Sequence, residues 1–257
     1  MKTLKTIYFG LGICLFFAFT EKKSKLLKKS FLLQSVISSP DTINYDGMFR
    51  TYQSSIIGVQ NNLLPYMNFT FAGFYNNNTS SEGFNSLFQV DSVSINDSSL
   101  FFNKPAYLDT NFIAYVTPIK WRVAGGQFFP SFTFINTDSF PTYLGYNLLP
   151  DTLVSTQDIS ITINNYSNAE KVQVVLRNGD NRQIIKKDVD SSGLVTFTQS
   201  EDLVGFYTQN TQLSIQVCLS NYNPQVISGK KIQFINSYGL IKKIVLVNNS
   251  ISSRVKK

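Results

Sequence analysis

Between residues 158 and 248, seven short segments follow one another, each mixing apolar and polar residues at the two-residue period of a strand. They are DISITIN (158–164), EKVQVVLR (170–177), RQIIKKD (182–188), LVTFT (194–198), TQLSIQVCL (211–219), KKIQFIN (230–236) and LIKKIVLVN (240–248). Side chains on a strand alternate between faces, so each segment presents an apolar face that must be covered by another layer. Strands repeating every 8 to 12 residues or so between turn signals predict a β-sandwich, and seven of them predict an immunoglobulin-like sandwich over 151–250. The turns agree with this. Asn178-Gly179 suits a tight hairpin, and Asp190-Ser191-Ser192-Gly193 places a glycine where a bulged turn needs positive φ. Thr198 and Glu201 have capping-box spacing, which predicts a short helix over 200–207.

The preceding stretch, 41–150, reads as an additional, irregular β region, so the fold class is all-β. Its strand candidates are 67–75, 87–95, 111–119, 120–125 and 131–136, separated by Asn/Ser clusters at 76–83 and 96–99. The two regions meet at LLPDTLVSTQ (148–157), where a proline and polar residues interrupt the pattern. Composition fits many short strands: 14% of residues are aromatic and only 15% are charged, well below the usual quarter or so.

The N-terminus has a different character. Lys2 and Lys5 precede an uncharged apolar run, Thr6–Thr20, too short for a spanning helix of about 20 residues but suited to a signal peptide over 1–20. Export to the cell envelope, at the outer surface or in the periplasm, or to the extracellular space is the expectation. Residues 21–40 form a basic linker, KKSKLLKKSFLLQSVISS at 22–39, and 251–257 a basic tail. The linker reads either as a peripheral membrane tether or as a solvated connection whose apolar residues dock on the domain. These segments carry the whole net charge of +7, because residues 31–253 hold 13 basic and 15 acidic side chains. A folded body without a basic excess lacks the footprint of a nucleic-acid binder, and no nucleic-acid partner is expected.

The chain contains no histidine. Imidazole-dependent triads, Cys-His pairs and His-ligated metal sites are therefore excluded. Cys218 is the one thiol beyond the apolar run and reads as structural: Leu213, Ile215, Val217 and Leu219 share one strand face and Cys218 lies on the other. Asp188, Asp190 and Ser192 resemble a fragment of a calcium loop, but the distant glutamate of that pattern is missing, and a plain turn with Asp190 accepting backbone hydrogen bonds is preferred. No catalytic, cofactor-binding or metal-ligating residue is assigned, and no cofactor is expected.

Two functional classes remain. The first is a non-enzymatic binding or structural module that recognises a carbohydrate or a protein partner. Trp121, Tyr143 and Tyr146, with Phe140 and Pro141, are the candidates for an aromatic platform on which a sugar ring or an apolar patch stacks. The alternative is a carboxylate-based carbohydrate hydrolase, which needs two facing carboxyl groups and no histidine; Asp91, Asp109, Asp138 and Asp151 are the available residues.

The chain resembles the exported, mostly lipid-anchored all-β proteins of unknown function from Bacteroidetes. The similarity is carried by the N-terminal signal, VDSVSINDSSLFF (90–102), a Trp-x-Val-x-Gly segment at Trp121, Val123 and Gly125, and the closing VDSSGLVTFT (189–198) and GKKIQFIN (229–236). The resemblance implies an envelope location and names no activity. The chain departs from the lipoprotein pattern in that AFTEKK (18–23) stands where a small residue and a lipidated cysteine belong, and Cys14 follows the bulky Ile13.

Overall fold

In the computed structural model, residues 45–58, 62–75, 88–103, 106–109, 113–154, 156–178, 183–206 and 213–247 are described. The expected signal peptide (1–20), linker (21–40), tail (251–257) and Asn178-Gly179 turn lie wholly or partly outside them. The strands in chain order are β1 (Gly47–Ile57), β2 (Leu63–Phe74), β3 (Val93–Ile95), β4 (Ser98–Ser99), β5 (Phe101–Asn103) and β6 (Ala106–Leu108). There follow β7 (Ile119–Val123), β8 (Phe132–Asn136), β9 (Thr142–Tyr143), β10 (Thr152–Val154), β11 (Ile159–Thr162) and β12 (Tyr166–Ser167). The last five are β13 (Lys171–Asn178), β14 (Ile184–Asp188), β15 (Leu194–Phe197), β16 (Leu213–Ile227) and β17 (Lys230–Val247). Among the described residues there is no α-helix, and the fold is all-β.

One large sheet organises the rest. Its order is β14-β13-β16-β17-β1-β2-β6-β5, with β10 alongside the far end of β17. β16 and β17 form a long hairpin through the two-residue turn Ser228-Gly229, both of positive φ, as a type I′ connection requires. The 18 residues of β17 reach about 60 Å at the rise of a strand, long enough to underlie both halves of the chain. β1 lies parallel to β17, in register from Gly47↔Ile232 to Ile56↔Ile241. Strands from both expected regions thus share one sheet, and 151–250 does not pair up as a self-contained seven-stranded sandwich.

Register assigns the faces. On one face β17 presents Ile232, Phe234, Asn236, Tyr238, Leu240, Lys242 and Ile244, an apolar, polar, apolar sequence that sets two cores side by side. In the first, Leu213, Ile215, Val217, Leu219, Val174, Leu176 and Leu240 meet Ile159, Ile161, Val195 and Phe197 of the small β11-β15 sheet. In the second, Phe49, Phe74, Ile232 and Phe234 meet Ile95, Ile119, Trp121 and Val123 of the β4-β3-β7-β8 sheet.

Between the cores runs a buried polar seam. Thr51 Oγ1 donates to Asn236 Oδ1 (2.7 Å), Asn236 Nδ2 to the Asp138 carbonyl (2.6 Å) and Asn223 Nδ2 to Asn136 Oδ1 (3.1 Å). Each buried polar group so paired avoids a cost of about 1–3 kcal/mol.

The opposite face carries Cys218, half-buried as its alternation predicts, and a chain of side chains spanning five strands, β2, β1, β17, β16 and β13. Tyr52 stacks on Phe69, lies over Gly239, and accepts a hydrogen bond from Gln216 Nε2 (2.8 Å); Gln216 Oε1 in turn accepts from Arg177. A Cβ at 239 would stand 1.8 Å from the Tyr52 hydroxyl, so only glycine permits this path.

Gly239 also explains a difference from the sequence reading, which predicts a break at Ser237-Tyr238-Gly239. The two expected strands there are one, because the glycine serves a close approach rather than a turn. Residues 113–118 are irregular and β7 begins at Ile119, since Pro118 has no amide to donate to a ladder. The helix expected over 200–207 is a series of turns through its described residues. Asp202, not Glu201, accepts from the Thr198 amide (2.7 Å) and hydroxyl (3.1 Å), and Gly205 takes φ +68, outside helical space. The Asp190 turn forms as expected, with Ser192 and Leu194 amides donating to Asp190 Oδ1 and Gly193 at φ +82. It joins β14 of the large sheet to β15 of the small one, so it is a crossover between layers rather than a hairpin.

Candidate functional site

The stretch Ser139–Pro150 contains no charged residue and is bracketed by Pro141 and Pro150. It folds into a corner beside β12. β9 pairs with β12, Tyr143 opposite Tyr166 and Thr142 opposite Ser167, and the two hydroxyls of the latter pair meet at 2.6 Å. The Leu144 amide donates to the Asn165 carbonyl (2.8 Å), and Gly145–Leu148 makes one 3-10 turn. A Cβ at Gly145 would lie 2.4 Å from the Asn164 carbonyl oxygen, which brings the turn tightly against the 164–166 segment.

Tyr143 anchors this corner from below. Its ring is buried in the first core, its hydroxyl donates to the Gly145 carbonyl (3.1 Å), and burial pushes the phenol up to about 12. Tyr146 is half-buried against the same core. Above them Leu144 (71% exposed), Leu148 (57%) and Tyr166 (40%) face solvent. Scattered exposed apolar residues need no explanation, but Leu144 and Leu148 lie four residues apart in a stretch without charge, and Tyr166 is exposed on the strand paired to β9.

Trp121 is elsewhere. It is 1% exposed, held in the second core with the Phe49 ring edge-on at 5.0 Å. Phe140 packs against that same core and Pro141 is buried. The platform expected from Trp121, Tyr143 and Tyr146 is therefore not assembled: a strand position opposite Phe134 turns the indole inward, and Tyr143 is spent on the other core.

Of the four aspartates of the hydrolase alternative, the Asp109 and Asp151 carboxylates have separate structural partners, and Asp138 and Asp91 are held through their backbones. Asp109 is buried and accepts from the Tyr115 hydroxyl and the Ile113 amide, both at 3.2 Å; burial and the adjacent carboxylate push Tyr115 up to about 12. Asp151 is paired with Lys242 (2.8 Å), whose ammonium also donates to the Leu149 carbonyl. The Asp138 carbonyl holds Asn236, and the exposed Asp91 sits beside Gly125 through its amide. Among the described residues, no cluster of three or more Cys, Asp or Glu side chains is placed to hold a metal ion. Burial pushes the Cys218 thiol up to about 11, which leaves it protonated and unreactive near neutrality.

No protein-family model, curated protein or solved structure matches this chain. Sequence reasoning reaches Tyr143 and Tyr146 but misses Leu144, Leu148 and Tyr166. The signal that could have found them is the uncharged, leucine-containing stretch between two prolines, which offers more apolar side chains than one short strand can bury.

Proposed function

We propose that this protein is an exported, non-enzymatic binding or structural module of the cell envelope or the extracellular space, and that the Leu144-Leu148-Tyr166 corner is its contact with a protein partner. Two exposed leucines, Leu144 and Leu148, in a stretch (139–150) without a charged residue, together with the exposed Tyr166 on the strand paired to β9, carry this reading. Such a surface suits an apolar patch on another protein better than a sugar, which needs flat rings together with hydrogen-bonding groups. The N-terminal signal and basic linker of the sequence support export and a peripheral membrane tether, and the likeness to exported all-β proteins of Bacteroidetes supports an envelope location.

The test compares the full chain with a Leu144→Ser/Leu148→Ser/Tyr166→Ala variant in cross-linking of whole envelopes and on a glycan array. The expected result is capture of one protein species by the wild type and at least about a tenfold loss in the variant, as for removal of a small hot-spot cluster. Equal capture by the two proteins would overturn the assignment of the corner. Glycan binding lost in the same variant would replace the protein partner with a carbohydrate.

A further inference from the structure

The first and last described strands are neighbours, and they run the same way. β1 begins at Gly47, where it faces Ile232, and its ladder with β17 closes at Ile56↔Ile241. The chain therefore enters at one end of the ladder and leaves past the other, beyond Val247. Tension between the chain ends pulls β1 and β17 in opposite directions along their shared axis. Ten register pairs then resist together instead of one after another.

We propose that the domain is a tension-bearing link, in which pull on the two chain ends is carried as shear by the β1-β17 ladder. This goes beyond the binding reading and does not depend on it. Neither strand is at an edge: β17 is held by fifteen register pairs to β16, and β1 by eleven to β2, so no free edge offers a place for peeling to begin. Side chains lock the same two strands. Where the chain enters, the Asp46 carboxylate accepts from the Lys231 amide (2.8 Å) and pairs with the Lys230 ammonium (3.3 Å). Further along, Phe49 stacks on Phe234 at 5.0 Å and Thr51 donates to Asn236. Tyr52 then crosses β17 over Gly239 to reach Gln216 on β16, and a slide of β1 along β17 would break that contact.

The experiment is single-molecule pulling of the full chain in two geometries. In one, handles sit at the two chain ends. In the other, one handle sits at the N-terminal end and the second between Ser228 and Gly229, at the same end of the ladder as Gly47, so that the same strands unzip pair by pair. Forced rupture is governed by the unfolding barrier, and the end-to-end geometry is expected to need at least about twice the force at equal loading rate. If the inserted handle shifts the urea midpoint, attachment through Val226→Cys in a Cys14→Ser/Cys218→Ser background repeats the second geometry, Val226 being exposed beside that turn. End-to-end rupture at equal or lower force would overturn the proposal, whatever the partner-capture experiment shows.

Discussion

The two cores lie on one face of one sheet, yet they are built differently. The first is mainly Ile, Leu and Val, and its covering strands β11 and β15 bury every second residue. The second is dense in rings, and several of the strands around it, β3, β5 and β6, are three residues long. Phe49 alone has Phe74, Trp121, Phe132 and Phe234 within 5.0 to 5.6 Å between ring centres. Each such pair adds about 0.5–1.5 kcal/mol beyond burial. In the second core, rings on the long β1-β17 ladder, Phe49 and Phe234, meet Trp121, Phe132 and Phe134 of the covering sheet; in the first, branched aliphatic residues fill the same space between layers.

The largest expected effect probes this contrast directly. Trp121→Ala removes the widest ring of the aromatic core and should cost about 3–5 kcal/mol, against about 0.5–1.5 for Ile215→Val in the aliphatic core. Urea unfolding of both variants measures the difference. If Trp121→Ala costs no more than Ile215→Val, the rings are filling space rather than holding the short strands.

A smaller effect is expected at the seam between the cores. Asn236→Ala leaves the Thr51 hydroxyl only its longer contact with the Ile235 carbonyl (3.5 Å) and releases the Asp138 carbonyl, for a loss of about 1–3 kcal/mol. Amide exchange should rise first in 136–139, the loop that Asn236 ties down. Uniform acceleration across both cores would instead mean that the seam couples them rather than separates them.

The smallest effect lies at the loop closing the aliphatic core. Burial alone would raise the Asp202 carboxyl, but the Lys187 ammonium and the Thr198 amide and hydroxyl hold it below its ordinary value. A carboxylate depressed in the fold contributes stability above its unfolded value of about 4, lost as pH falls through the lower folded value. Asp202→Asn should therefore cost at most about 1 kcal/mol at pH 7, and its difference from wild type should vanish in strong acid. A difference that persists below both values would point to lost hydrogen bonds rather than lost charge.

The contrast between cores also sets how much of the fold is legible in advance. β13, β14, β15 and the first half of β16 lie within a residue or two of the segments that alternation predicts, because one buried face imposes a period of two on the sequence. The aromatic half is less legible. LFQVDSVSI (87–95) yields a strand only at Val93–Ile95, and β1 is not among the expected strands, since GMFRTYQSSII buries residues on both faces and so shows no simple alternation. At the candidate site, Tyr143 and Tyr146 are legible as aromatic residues, but Trp121 has the same chemistry and sits in the other core. Residue type cannot say which ring faces water.

By itself, then, the sequence determined the class of structure and the chemistry ruled out. Strand periodicity over most of its length demands layered sheets, and the absence of histidine holds whatever the fold. Only the tertiary structure decided that β1 lies parallel to β17, that one hairpin underlies two cores, and that Gly239 is a crossing point for Tyr52 rather than a turn. Those facts depend on which distant segments meet, and a strand's alternation records that it needs a neighbour without recording which one.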